Sequence, residues 1–165
     1  MAKPVYNWWP RLSKELEMET QKVITTLNEL LQTCHDGTKG FRACAKDVKS
    51  TKLVPVFEAG ARRCEGGATE LAAEIRKLGG EPASGGSVSG ALYRVWTDLV
   101  STLSGHSEKA VLEQCERAED EAKKIYEKAI ALDLPPAIKS LVTQQFAGLK
   151  ENHDRIRKLR DELSA

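Results

Sequence analysis

Residues 51–78, TKLVPVFEAGARRCEGGATELAAEIRKL, decide the fold. Within them Phe57, Ala61, Cys64, Ala68, Leu71, Ile75 and Leu78 recur at alternating steps of four and three. That spacing draws one apolar stripe along one face of a helix. Pro55 suits such a helix only in its first turn, where its missing N–H is not needed. Gly79-Gly80 is a C-terminal stop, and the loop Glu81–Gly86 (EPASGG) follows it.

Working outward, the same rhythm recurs. Over 19–48, Leu27, Leu31, Cys34, Thr38, Phe41, Ala45 and Val48 form a stripe that contains Gly37 and Gly40. Each glycine costs a helix up to about 1 kcal/mol relative to Ala, so close packing or a kink is expected there. Residues 47–52 (DVKSTK) are a short polar connection, which makes the first two helices an antiparallel hairpin. Beyond the glycine loop, Ser87 or Ser89 is the expected cap of a shorter helix over 90–103, with Leu92, Val95, Trp96, Leu99 and Leu103 on one face. Ser107 caps the next long helix and Glu108 suits its first turn. Its stripe is Val111, Cys115, Ala118, Ala122, Ile125, Ala129 and Leu132. Pro135-Pro136 then opens a last helix carrying Ile138, Val142, Gln145, Leu149, Asn152, Ile156 and Leu159. Two long hairpins joined by a crossover helix predict an all-α, ferritin-like antiparallel four-helix bundle.

Residues 1–18 fall outside that pattern and are expected as an N-terminal arm, leaving 19–165 as the bundle domain. The arm carries Tyr6, Trp8, Trp9 and Pro10. Adjacent tryptophans want cover, either by folding back on the bundle or by docking on another subunit or a protein partner. A homo-oligomer is therefore among the expectations. The formal net charge of +1, with 30% charged residues, offers no field for nucleic acid or an anionic membrane. Basic Arg155, Arg157, Lys158 and Arg160 are interrupted by Asp154, Asp161 and Glu162, unlike a nucleic-acid stripe. No apolar run reaches the roughly 18 residues that span a bilayer, and the first residues lack a secretory core. The expected location is the cytoplasm, where Cys34, Cys44, Cys64 and Cys115, none in a C-x-x-C pair, serve as small buried hydrophobes.

Several phrases resemble a bacterial family of uncharacterised ferritin-like four-helix-bundle proteins, a domain of unknown function. They are Leu27-Asn28-Glu29-Leu30-Leu31 with Asp36-Gly37, Gly40-Phe41-Arg42, Leu78-Gly79-Gly80 and Ser89-Gly90-Ala91-Leu92. Glu116-Arg117-Ala118-Glu119-Asp120, Tyr126, Asp133-Leu134-Pro135 and His153-Asp154-Arg155-Ile156-Arg157 extend the similarity over about residues 22–161. The resemblance implies the fold and no particular reaction. Where the family pattern carries a glutamate this chain has Ala43, and where it carries alanine this chain has Cys44, so no role is transferred to those two positions.

Di-iron bundles use Glu-x-x-His, because side chains at i and i+3 share a helix face. Gln32, Leu103 and Lys150 stand three residues before His35, His106 and His153, so the motif is absent. A different set remains, one position past each stripe near mid-helix: His35, Glu65, Glu119 and His153, with Cys34, Cys64 and Cys115 beside them. Together they could supply ligands for iron, zinc or manganese. Counted from the turn near residue 50, Cys34 and Cys64 share a level and form a redox pair in one reading; counted from residue 134, Cys115 lies beside His153. The bland alternative makes these residues boundary polars and plain core cysteines. The glycine loop lacks the P-loop pattern, and Gly85-Gly86-Ser87 lacks a nucleophile-elbow context. The sequence therefore favours a non-enzymatic bundle, structural or ligand-binding, with a stress-related role by analogy to ferritin-like proteins; the alternative is a non-standard metal-binding oxidoreductase or metal-handling protein.

Overall fold

The computed structural model describes residues 8–86 and 90–165. Tyr6, Ser87 and Ser89 lie outside the described residues. Among the described residues five helices run in the order α1 (Trp9–Asp47), α2 (Val54–Lys77), α3 (Ala91–Thr102), α4 (Glu108–Ile130) and α5 (Pro136–Glu162), with a 3₁₀ turn, Leu103–Gly105, after α3. Pro55 and Pro136 sit in the first turns of α2 and α5, as their missing N–H groups require. The Ser107 hydroxyl accepts from the Ala110 N–H and so caps α4. Gly79, at a φ of 80°, closes α2 in the left-handed region open to glycine.

The α1–α2 hairpin turns about residue 50. A side chain at Gly37 would strike Cys64, one at Gly67 would meet Cys34, and one at Gly60 would press on Phe41. Glycine thus alternates with a bulky neighbour along the seam, which lets the two backbones approach closely. Gly40 serves the same end by making room for the Trp96 ring of α3. The glycines buy close packing, and α1 runs without interruption through both. Phe41, Phe57 and Trp96 form the aromatic floor of this half, with the Phe41 and Trp96 rings 4.9 Å apart, edge to face.

Two expectations are corrected. The first helix begins at Trp9 rather than near Glu19, because Pro10 stands in its first turn and the helical pattern simply continues upstream. Residues 9–18 do not fold back: Trp8, Trp9 and Leu16 are exposed. The second correction is a register shift. Glu119 meets Asn152 and Asp120 meets His153, so the α4–α5 hairpin turns about residue 136, and His153 lies one turn from the level of Cys115. The residues from Leu132 to Pro135 act as a connection, which moves the pivot. Among the described residues, no helix is long and apolar enough to cross a membrane.

Candidate functional site

The interior between the two hairpins is polar at one level. Arg63 of α2 is flanked by Gly60 and Gly67, and its stem crosses Gly148 of α5, whose missing side chain leaves it space. Its Nη2 donates to Glu119 Oε1 of α4 over 3.1 Å, and Asn152 Nδ2 of α5 donates to the same oxygen over 2.8 Å. Glu119 is 1% exposed, and its Oε2 has no hydrogen-bond partner, nor does Arg63 Nε. Burial pushes the Glu119 carboxyl up to about 7 against the opposing pull of Arg63 and Asn152. Burial tends to lower the Arg63 pKa, but Cys64, Glu119, Tyr126 and Cys34 outweigh it, so this guanidinium remains a fixed cation.

A second polar chain runs alongside. The two N–H bonds of the Gln145 amide go to the Gly67 carbonyl, 3.2 Å, and to Glu70 Oε2, 2.8 Å. That orients its oxygen to accept from the Tyr126 hydroxyl at 3.0 Å. Tyr126 spends its one proton there, so the Cys34 thiol, 3.5 Å away, is the donor to the Tyr126 oxygen. The chain from Cys34 through Tyr126 and Gln145 to Glu70 has one direction, and each bond polarises the next. Burial raises the pKa of Cys34, carries Cys64 up to about 12, and lifts Tyr126 well above an ordinary phenol. These groups border one small cavity of about 20 Å³, lined among others by Cys34, Arg63, Cys64, Trp96, Glu119 and Tyr126. That volume suits one water-sized guest.

Of the seven ligands expected from sequence, the structure gathers Cys34, Cys64 and Glu119 on this cavity. The other four lie elsewhere. The His35 ring holds the glycine loop, with Nε2 3.2 Å from the Ala83 carbonyl. Glu65 pairs with Arg42 at the α1–α2 surface. Cys115 faces Cys44, their sulfurs 3.7 Å apart and both fully buried. His153 is buried in an outer α4–α5 cluster with Nε2 2.8 Å from Asp120 and 3.9 Å from Glu116. The Asp120 approach has ion-pair distance without hydrogen-bond direction, since Nε2 has no bonded partner. Among the described residues, no three His, Cys, Asp or Glu side chains converge as a ready metal site.

Sequence reasoning missed Arg63 and Tyr126 as interior groups, and it had Asn152 on the α5 stripe without linking it to Glu119. A second α4 stripe, Leu112, Cys115, Glu119, Ala122, Tyr126 and Ala129, is as regular as the one first read, and five of its members are 3% exposed or less. It puts Glu119 and Tyr126 inward. For Arg63, the signal was its position between Gly60 and Gly67.

No curated protein matches the chain. It is similar in structure to a ferritin-like, diiron-carboxylate protein of Bacillus anthracis strain Ames, with 23% identity and a TM-score of 0.63 over 87% of this chain and 96% of that one. That likeness establishes the ferritin-like fold. Residues 22–132 match the family described as Domain of unknown function (DUF2383), and because the match spans well over half of the sequence, the chain belongs to that family.

Proposed function

We propose that the chain is a non-enzymatic helical-bundle protein, structural or ligand-binding, that holds one small hydrogen-bonding guest in the cavity between α1, α2 and α4. The observation that carries this reading is the Glu119 carboxylate, 1% exposed with Oε2 unpartnered at the cavity. A buried acceptor without a partner costs about 1–3 kcal/mol, and a guest donating to it removes that cost. Arg63 Nε, also unpartnered, supplies the matching donor. The place of action is the cytoplasm, a reading supported by four buried free cysteines.

The structural relative is described as a diiron-carboxylate protein. A pair of irons in this fold calls for a carboxylate from each of two helices and Glu-x-x-His from the other two. The interior donors on this cavity are one carboxylate, two thiols and a phenol, with a fixed guanidinium bonded to the carboxylate. That set does not fit a di-iron centre.

A second reading is a single thiophilic divalent ion, Zn²⁺ or Fe²⁺: Cys34, Cys64 and Glu119 line one cavity, and their side chains would have to close in to hold it. Two thiolates, a carboxylate, Arg63 and one divalent ion sum to zero charge. The raised thiol pKa values mean that uptake would release protons and strengthen with pH. The two readings separate by native mass spectrometry of protein purified anaerobically without a tag, before and after addition of Zn²⁺, Fe²⁺ or Mn²⁺. A metal-free chain that stays helical and takes up no ion agrees with the first reading. One ion per chain, lost in Glu119→Gln and in Cys34→Ser, overturns it in favour of the second.

A further inference from the structure

A cleft of about 620 Å³ opens between α1 and α4, bordered by the glycine loop at Ala83 and by the start of α3. Among the described residues, its charged lining is made of carboxylates alone: Glu29 and Asp36 of α1 and Glu121 of α4. Glu121 is paired with Lys124 over 2.7 Å. Asp36 is 8% exposed and has no ion pair among the described residues, although buried carboxylates are normally paired. The cations that act on it, Lys39 and His35, turn instead to the glycine loop, at the carbonyls of Gly85 and Ala83. Burial accordingly holds the Asp36 carboxyl above its ordinary pKa. Its hydrogen bond comes from Gln32 Nε2 over 2.9 Å, and the Gln32 Oε1 is itself buried without a partner.

The remaining polar groups of this wall direct their protons elsewhere. Thr25 and Thr33 donate to the backbone carbonyls of Gln21 and Glu29, and the Asn28 amide donates to the Glu81 carbonyl. On the α1 side the cleft therefore presents acceptors: carboxylate oxygens, hydroxyl lone pairs and an amide oxygen. Such a wall selects a hydrogen-bond donor that carries positive charge and repels an anion. Among the described residues no three His, Cys, Asp or Glu side chains converge on a metal ion, so the cation that fits is organic. Glu29 and Asp36 stand two turns apart on one face of α1, about 10 Å along the axis. We propose that the cleft binds a small aliphatic diamine as its dication, one ammonium on Asp36 and Gln32 Oε1 and the other on Glu29, with the methylene chain along Leu92 and Ile125. A primary ammonium has three N–H donors, so one group can serve both the unpaired carboxylate and the orphaned amide oxygen. The volume is that of an ordinary small-molecule site, with Leu92 and Ile125 as apolar wall. Glu119 is not among its lining residues, so this site is separate from the small interior cavity.

Isothermal titration calorimetry of the full chain with putrescine at neutral pH tests this, with circular dichroism as the folding control. The expected result is one putrescine per chain, with n-butylamine, which has a single ammonium, at least tenfold weaker and succinate without effect. Glu29→Gln and Asp36→Asn should each weaken putrescine at least tenfold, whereas Glu17→Gln, on the exposed start of α1, should leave its binding as it is. Because Glu29 is exposed, Glu29→Gln decides the matter where Asp36→Asn loses helicity. A wild-type chain that does not bind putrescine with a Kd on the order of 1 mM or tighter overturns the proposal. So does putrescine binding that either folded variant leaves intact, or that n-butylamine matches, since two carboxylates are then not holding two ammonium groups.

Discussion

Glu119 is the residue on which the interior turns, because its ordinary pKa of 4.5 is raised to about 7 by burial. The unfolded chain releases this proton near 4.5, while the folded chain keeps it to near neutrality. Its contribution to stability is thus complete below about 4.5 and lost as pH rises through 7, a change on the order of 3 kcal/mol. Asp36, raised chiefly by burial, acts in the same direction. Urea unfolding at successive pH values should show wild-type stability falling between pH 5 and 8 by more than that of Glu119→Gln. Parallel curves for the two proteins would deny Glu119 its raised pKa. Sequence singled this residue out for the wrong reason, as a position just past a stripe. The same rule chose His35 and Glu65, which hold a loop and a surface ion pair instead. The difference lies in α4, which buries a face wide enough for both Ala118 and Glu119.

At the scale of the element, spacing was a sufficient guide to four long helices and the α1–α2 register, though not to the α4–α5 pivot. It was sufficient because apolar repeats record which face a helix buries. The start of α1 was less legible, since its exposed first turns lack the burial that makes a stripe meaningful, and Pro10 reads equally as a turn residue. The α1 glycines show how local cost is offset by packing. Gly40→Ala would drive a methyl into the Trp96 ring and should lower stability by about 1–3 kcal/mol. Gly66, on the exposed side of α2 with nothing near its missing side chain, provides the control. Gly66→Ala should stabilise by about 0.5–1 kcal/mol through propensity alone. Equal effects at the two sites in thermal melts would mean that the α1–α3 contact is looser than described.

At the scale of the molecule, the polar node joins the two hairpins: Arg63 comes from the first, Glu119 and Asn152 from the second. A buried pair of this kind is weak evidence for stability, yet breaking it is costly. Arg63→Leu should destabilise by about 3–5 kcal/mol because it strands a buried carboxylate. Arg63→Leu with Glu119→Leu should recover most of that loss in chemical denaturation, whereas additive losses would mean that the two side chains act independently. Periodicity can turn Glu119 and Asn152 inward, but their meeting with Arg63 depends on how two hairpins sit together, and the α4–α5 pivot near residue 136 had to be seen. The most direct measurement is a high-resolution crystal structure of the metal-free chain at neutral pH, inspected at the cavity between Cys34, Cys64, Arg63 and Glu119. The account predicts density for one small guest within hydrogen-bond distance of Glu119 Oε2. An empty cavity, with Oε2 bonded instead to a group of the protein, would contradict it.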